Sequence, residues 1–183
     1  MKIGICGRMA SGKTTLAKEL EKQFLTFVDV QEEYVTQMSL AGKVKEIATG
    51  LFFMTGKDRK LLQQIGMKMR EIRETVWLDY VLESTKHDIG ITIVDDVRFI
   101  NEAVTMRENE WIMIKIIVDE ETQLERVKKT YPHDWERHWE NRNNPSEQQV
   151  DHIDDKVFDF IIDANDVMDF DANWVVDYNQ MRE

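Results

Sequence analysis

Residues 7–15 read GRMASGKTT, and they carry the strongest indication of the fold in this chain. Two glycines lie five positions apart, and the second is followed directly by Lys-Thr, so the stretch fits the pattern G-x-x-x-x-G-K-[ST]. The apolar run at 1–6 predicts a strand before it, and the apolar spacing at 12–24 predicts a helix after it. Strand, glycine loop and helix are the context in which this pattern forms a phosphate-binding loop.

The residue types in this loop fit the binding of a nucleoside triphosphate. Glycine tolerates backbone angles that turn successive N–H groups towards one side, and the helix N-terminus adds its dipole and its unpaired N–H groups. The Lys13 ammonium can reach the outer phosphates, and the Thr14 hydroxyl can bind Mg²⁺. The candidate ATP-binding residues are Gly7, Arg8, Met9, Ala10, Ser11, Gly12, Lys13, Thr14 and Thr15.

The composition bounds the class of protein. The chain has 183 residues, enough for one domain with a core, and it is 42% hydrophobic and 32% charged. A net charge of −11 argues against nucleic acid as a partner, because nucleic-acid-binding proteins usually carry a basic face. No apolar run approaches the roughly 18 residues that span a bilayer. A single cysteine rules out a disulfide within the chain and fits a reducing, cytoplasmic location.

Hydrophobic periodicity predicts alternating strands and helices. Strands are predicted at 1–6, 89–96, 111–119 and 157–163. Helices are predicted at 12–24, 39–53, 58–87, 100–109, 120–131, 146–154 and 170–181. Ser39 is a plausible N-cap, the helical region at 58–87 should break near 74–76, and 132–145 reads as a long polar loop. Residues 24–30 either extend the first helix or begin a second strand.

Nearly all-apolar strands that alternate with helices predict a three-layer α/β sandwich, in which a parallel sheet is flanked by helices, as in P-loop NTPases. Ligands of such sheets bind outside the carboxyl ends of the strands. The glycine loop follows the first strand, and the strand that ends near residue 96 closes with two carboxylates. Both sets of groups are therefore expected at the same edge of the sheet.

The segment IVDDVRF, at 93–99, supplies the second candidate set. Because side chains alternate along a strand, only one of Asp95 and Asp96 should face the phosphate loop, where it could hold Mg²⁺ or accept a proton. Arg98 could grip a second phosphate with its planar guanidinium. The alternative is that the acids are solvated strand-end residues and that Arg98 forms a surface ion pair.

Four segments occur in order along the chain: GRMASGKTTLA, KDRKLLQQIG, VDDVRFINEA and NNPSEQ. Together they resemble the nucleoside monophosphate kinases, most closely the deoxynucleoside monophosphate kinases of phage type, over about residues 1–165. The family pattern has Pro where this chain has Ile100, and His where it has Asn144. The resemblance implies transfer of the γ-phosphoryl group of ATP to a (deoxy)nucleoside 5′-monophosphate with Mg²⁺, in the host cytoplasm if the chain is phage-encoded.

The resemblance also implies roles for individual residues. Lys13, Asp96 and Arg98 would be catalytic, Thr14 and Asp96 would bind the metal, and Arg98 would contact the acceptor phosphate. Acceptor-binding helices are expected at about 35–87. Within them the acceptor-binding candidates are Arg59, Gln63, Gln64 and Arg70.

The resemblance further implies a lid at about 132–147, where it would exclude water from the reaction. Three arginines in or next to it are candidates to neutralise charge on the transferring phosphate: Arg126, Arg137 and Arg142. The whole chain, 1–183, is read as one kinase domain, with a core at about 1–34, 88–131 and 155–183.

Other readings remain open. Another small-molecule P-loop kinase, of the dephospho-coenzyme-A kinase or adenylate kinase type, would share the sheet and the loop and differ in the acceptor. A nucleotide-dependent switch or a non-catalytic nucleotide-binding module is the alternative of another class. The expected partners are ATP and a nucleoside monophosphate, without membrane or nucleic acid, and a homodimer is an open possibility.

Overall fold

The structure, a computed structural model, describes residues 1–27, 34–56, 58–143 and 145–182. The strands are β1 (Lys2–Gly7), β2 (Val35–Met38), β3 (Ile91–Val97), β4 (Ile112–Ile117) and β5 (Phe160–Asp163). The helices are α1 (Lys13–Phe27), α2 (Gly42–Phe52), α3 (Arg59–Ile72), α4 (Val76–Ser84), α5 (Ile100–Glu108), α6 (Glu120–Thr130), α7 (Trp135–Glu140), α8 (Pro145–Gln148) and α9 (Ala172–Arg182). Short 3₁₀ turns cover Asn141–Asn143, Gln149–His152 and Asp155–Val157.

Within the described residues, five strands form one sheet in the order β2-β3-β1-β4-β5, and every neighbouring pair is parallel. The predicted fold class, a parallel sheet between layers of helices, is confirmed. Because the strands are parallel, their carboxyl ends lie at one edge of the sheet, and the connections that bind ligands in such folds start there. No helix in the described ranges is both long and apolar enough to cross a membrane.

Alternating side chains divide the core between the two faces of the sheet. Ile3 and Ile5 of β1 pack with α1 and α9, among buried residues such as Leu16. The next residue of β1, Cys6, points to the other face and packs with residues of α4 and α5, such as Met106. A third cluster, Val44, Ala48, Ile65 and Trp77, joins α2, α3 and α4 beside the sheet.

The second strand lies where the sequence analysis placed no strand. Residues 24–27 are the end of α1, whereas 28–30 lie outside the described residues. The edge strand is β2, Val35–Met38, which pairs in parallel with β3. Its short VTQM sequence has a buried valine and two exposed polar residues, so it lacks the continuous apolar run that marked the other strands.

Two further predictions about local structure are wrong. Ser39 does not cap α2: the N-cap is Ala41, without a side-chain cap, and the Ser39 hydroxyl contacts Asp96 instead. Residues 132–145 are not a plain loop, because α7 forms at Trp135–Glu140. There His138 stacks on Tyr131 with the ring centroids 3.6 Å apart, and the His138 side chain is buried. The polar sequence of this segment does not predict this contact. The predicted break between α3 and α4 is confirmed.

Candidate functional site

The phosphate-binding loop connects β1 to α1, and its geometry explains both glycines of the pattern. Gly12 has φ of 107°, a conformation that residues with a Cβ rarely adopt. A Cβ on Gly7 would lie 2.7 Å from the Ser11 hydroxyl oxygen and 3.0 Å from the Ile116 carbonyl oxygen. The spacing of the motif therefore reflects one backbone shape that only glycine allows at these two places.

Lys13, the first residue of α1, folds back over this loop and is only 8% exposed. Its ammonium donates to the carbonyl oxygens of Gly7 at 2.7 Å and Arg8 at 2.6 Å. Burial, followed by the charge of Arg98, lowers the pKa of Lys13 to about 8, although Glu147 and other acidic groups oppose the change. The lysine is therefore a cation held at the loop itself and not a residue of the hydrophobic core.

The neighbouring carboxylates of β3 have different partners, as the alternation of the strand requires. Asp95 accepts a hydrogen bond of 2.6 Å from the Thr14 hydroxyl. Asp96 accepts from the Ser39 hydroxyl at 2.6 Å and from the backbone N–H groups of Leu40 and Ala41 at 2.8 and 3.0 Å. The acid beside Thr14 is thus Asp95, whereas the sequence analysis assigned that place to Asp96.

The Thr14–Asp95 pair fits a Mg²⁺ site. Mg²⁺ prefers oxygen ligands, takes few of them from protein and keeps waters and substrate phosphates as the rest. A hydroxyl and a carboxylate at the first turn of α1 and the end of β3 supply such oxygens, and both residues line the cavity of the phosphate-binding loop. Among the described residues there is no cluster of three or more metal-binding side chains.

Arg98 follows β3 and is held from two sides. Its backbone N–H donates to Glu102, which also accepts from the N–H of Phe99 and so fixes the start of α5. Burial raises the pKa of Glu102. The Arg98 guanidinium donates to Glu147 at 2.6 Å. The side chain is 39% exposed, so it is anchored and still open to a ligand.

Two cavities meet at this edge of the sheet. The loop cavity, of about 910 Å³, is lined mainly by the phosphate-binding loop, by residues at the carboxyl ends of β3 and α6, and by the segment after β5. The helix cavity, of about 380 Å³, lies between α2, α3, α4 and the β3–α5 connection. Four residues line both cavities: Ala41, Lys45, Asp96 and Arg98. Ligands in the two cavities would therefore face each other across Arg98.

The helix cavity has mainly apolar walls with a few polar groups. Trp77 and Phe99 supply aromatic surface, and Gln63 supplies an amide. Arg70 lies over the Phe99 ring, 5.0 Å from its centroid, and its guanidinium is 3.5 Å from Glu102. Of the predicted acceptor-binding residues, Gln63, Arg70 and Arg98 line this cavity.

The structure does not support the other two acceptor-binding candidates in the same way. Gln64 is exposed and lines neither cavity. Arg59 is the first residue of α3, and its side chain lies outside the described part of the structure.

The three candidate lid arginines occupy different places. Arg126 lines the loop cavity, where it donates to the carbonyl oxygens of Ser11 at 3.0 Å and Ala164 at 2.8 Å. Arg142 pairs with Glu120 at 3.2 Å and lies on the ring of Trp139. Arg137 lines a separate, open cavity beside the end of α2. Only Arg126 lies at the loop cavity among these three.

Several site residues were missed by the sequence analysis. Lys45 sits in an ordinary-looking helical sequence that carries no signal of function. Phe99 and Glu147 lie inside the VDDVRFINEA and NNPSEQ segments, but their residue types alone do not suggest a role. Trp77 lies in the predicted helical region at 58–87, and helical periodicity gives no indication that its ring lines a cavity.

Comparison with known proteins gives a family and a fold. A family model described as an AAA domain matches residues 3–150. No protein among the curated sequences matches the chain.

Solved structures share the fold at low identity. An uncharacterized protein from Eubacterium ventriosum aligns at TM-score 0.57 and 13% identity, over 98% of each chain. Shikimate kinase from Acinetobacter baumannii in complex with shikimate aligns at 0.54 and 15%, over 100% of this chain and 94% of that one. A gluconokinase from Sinorhizobium meliloti aligns at 0.53 and 10%, over 98% and 93%. The chain therefore belongs to the AAA domain family, and its fold is that of a P-loop kinase.

Proposed function

We propose that the chain is an ATP-dependent phosphotransferase that moves the γ-phosphoryl group of ATP to a (deoxy)nucleoside 5′-monophosphate. The observation that carries the proposal is the junction of the two cavities. Asp96 and Arg98 line both, and Arg98 presents a partly exposed guanidinium there. A triphosphate in the loop cavity and a phosphate in the helix cavity would meet at that guanidinium, which can neutralise charge on both.

The lining of the helix cavity favours a nucleotide as the acceptor. Aromatic and apolar side chains such as Trp77, Phe99 and Met67 suit the faces of a planar base. The Gln63 amide offers one donor and one acceptor group to the edge of a base. The guanidinium groups of Arg70 and Arg98 suit the phosphate. A polyhydroxylated acid would leave its hydroxyl groups against apolar walls, at a cost in free energy.

The far end of the loop cavity suits the base of ATP. Apolar Val167 and Met168 and the polar Asn165 line it after β5. The Arg126 guanidinium ties this segment to the phosphate-binding loop through Ala164 and Ser11. We place the ATP base against this segment, with the phosphates directed along the loop towards Arg98.

The described side chains then have distinct tasks. Lys13 binds the outer phosphates, and Thr14 and Asp95 would hold Mg²⁺, which neutralises phosphate charge when it is bound. Arg98 orients the acceptor phosphate in line with the donor. The segment at 132–147 excludes water, so that the phosphoryl group passes to the nucleotide and not to solvent. Such transfer needs positioning and charge stabilisation and no covalent intermediate on the protein.

A panel of acceptors tests the proposal. ATP consumption by the purified chain should be measured with each common nucleoside and deoxynucleoside monophosphate, with dephospho-coenzyme A, shikimate and gluconate, and without any acceptor. We expect turnover that requires a monophosphate. Turnover with dephospho-coenzyme A, shikimate or gluconate, and with no monophosphate, would mean that this compound is the acceptor. Slow hydrolysis that no acceptor stimulates would favour a nucleotide switch, and binding without turnover would favour a non-catalytic module.

A further inference from the structure

Glu147 is a buried carboxylate at the centre of the site, and the function proposed above assigns it no task. It is 4% exposed. One oxygen accepts a hydrogen bond of 2.5 Å from the backbone N–H of Met9, in the phosphate-binding loop. The other accepts one of 2.6 Å from the guanidinium of Arg98, at the junction of the cavities. A single side chain thus joins the two phosphate-contacting parts of the site.

The segment that carries Glu147 is fixed to the core. Val150 and Ile153 are each 2% exposed and pack against the sheet in the cluster that contains Cys6. The Asp151 carboxylate pairs with Arg8. Glu147 is therefore tied down by the residues that follow it, although the sequence analysis placed it at the end of a lid. A carboxylate held in this way can act as a fixed reference point for its two partners.

Both partners of Glu147 are hydrogen-bond donors, and this explains the residue type. A carboxylate offers two acceptor oxygens, so it satisfies the Met9 N–H and the Arg98 guanidinium together. Glutamine would present an NH₂ group to one of these donors and lose that contact. Burial, and then Arg98, lower the pKa of Lys13, whereas Glu147 is the largest influence that raises it. The same charge therefore helps to keep the lysine cationic.

We propose that Glu147 is a positioning residue that fixes the Arg98 guanidinium relative to the Met9 end of the phosphate-binding loop, and so aligns the acceptor phosphate with the γ-phosphoryl group of ATP. This inference rests on the proposed function. Glu147 acts through Arg98 and does not itself contact the reacting atoms. Misplacement by about 1 Å in such a site can cost about a hundredfold in rate.

A double-mutant cycle with Glu147→Gln and Arg98→Ala tests the proposal. In the otherwise wild-type chain, Glu147→Gln should lower kcat/KM for the monophosphate about ten- to a hundredfold. All assays are run at about pH 6.5, well below the Lys13 pKa of about 8, so that Lys13 stays cationic without the Glu147 charge. Under these conditions the Kd of a fluorescent ATP analogue should change by less than about threefold, because that ligand does not need Arg98 to be aligned. In the Arg98→Ala background, Glu147→Gln should cost less than about threefold, since the group it positions has been removed.

Asp155→Asn provides the matched control. It removes the same charge from the same stretch of chain and breaks a surface ion pair with Lys115, but Asp155 is exposed and faces neither cavity. We expect its kcat/KM to stay within about twofold of wild type. Thermal unfolding of each variant should accompany the kinetics. If Glu147→Gln does not fold, Glu147→Asp takes its place in the double-mutant cycle. Aspartate keeps the charge but is one methylene shorter, so its oxygens lie farther from Met9 and Arg98.

The outcomes separate this inference from the function it rests on. Wild-type turnover of a monophosphate, with a large Glu147 effect that disappears without Arg98, supports both. The positioning role is overturned, and the function left intact, if the wild type turns over a monophosphate but Glu147→Gln does not lower kcat/KM. The same holds if Glu147→Gln lowers kcat/KM by the same factor with and without Arg98. A wild-type chain that phosphorylates no monophosphate overturns the function and, with it, this role.

Discussion

The loop cavity and the helix cavity meet at Arg98, yet they are built in different ways. The loop cavity takes its chemistry from consecutive residues: a glycine with positive φ, a buried lysine and a threonine, all held by one backbone conformation. The helix cavity is assembled from side chains of α2, α3 and α4 and from the β3–α5 connection, which are distant in sequence. A phosphate site can therefore be encoded in one short motif, whereas an acceptor site depends on how separate helices pack.

Loss of the lysine in the loop should have the largest effect. Lys13→Ala removes a preorganised cation that serves the transferring phosphate, so we expect kcat to fall about 10²–10³-fold or more. The fold should persist, because the Lys13 ammonium contacts only loop carbonyl groups. Turnover and thermal unfolding should be measured together, with Lys18→Ala on the exposed face of α1 as the control. Near-wild-type turnover by Lys13→Ala would mean that the loop cavity does not bind the transferring phosphate.

Substitutions of the two carboxylates of β3 should have different effects, one on turnover and the other on stability. Asp95→Asn should lower turnover about ten- to a hundredfold and raise the Mg²⁺ concentration needed for half-maximal rate, because Asp95 lies beside Thr14. Asp96→Asn should chiefly lower the melting temperature, since Asp96 holds the turn at 39–41 with hydrogen bonds to a charged group worth about 1.5–3 kcal/mol each. If Asp96→Asn raises the required Mg²⁺ concentration more than Asp95→Asn does, Asp96 is the residue that binds the metal.

The buried cation predicts a pH dependence that belongs to the loop cavity alone. The pKa of Lys13 is about 8, so the nucleotide-free protein loses this charge as the pH rises through 8. We expect kcat/KM for ATP to fall about tenfold per pH unit above that value. Bound triphosphate favours the charged lysine, so kcat at saturating ATP should hold to higher pH. A flat kcat/KM up to pH 9.5 would contradict this picture of Lys13.

Neighbouring glutamines provide the finest test of the helix cavity. Gln63 lines it and Gln64 does not, although both are exposed on α3. Gln63→Ala should raise KM for the monophosphate about two- to tenfold, the range expected for one neutral hydrogen bond, by a factor that depends on the base. Gln64→Ala should leave this KM unchanged. Equal effects, or a larger one at Gln64, would mean that the base does not lie against Gln63.

The contrast between the cavities also explains which features could be predicted from the sequence. The fold class, the phosphate-binding loop and the break between α3 and α4 follow from strong local patterns, and all three are present in the structure. β2 was missed because a short edge strand with two exposed polar residues carries little periodic signal. The alternation of β3 predicted that one aspartate faces the loop, but which one it is depends on the register against β1 and on the turn at 39–41.

Residues that reach the site through packing were the hardest to predict. Lys45 lies on α2 in a sequence typical of an exposed helical face, and only the placement of α2 brings it to both cavities. Arg137 and Arg142 were chosen because they are arginines in the expected lid. The helix α7 and the contact of Arg142 with Trp139 instead direct them away from the loop cavity.

Following the γ-phosphate of ATP tests directly whether the chain transfers it to a nucleoside monophosphate. The chain should be incubated with ATP labelled at the γ-phosphate and with the monophosphate that gives the fastest turnover, and the labelled products should then be separated. We predict that the label appears in the nucleoside diphosphate, in proportion to ATP consumed, and that Arg98→Ala reduces this product much more than it reduces ATP binding. Label found only in inorganic phosphate, at a rate independent of the monophosphate, would mean that the chain hydrolyses ATP and transfers no phosphate to a nucleotide.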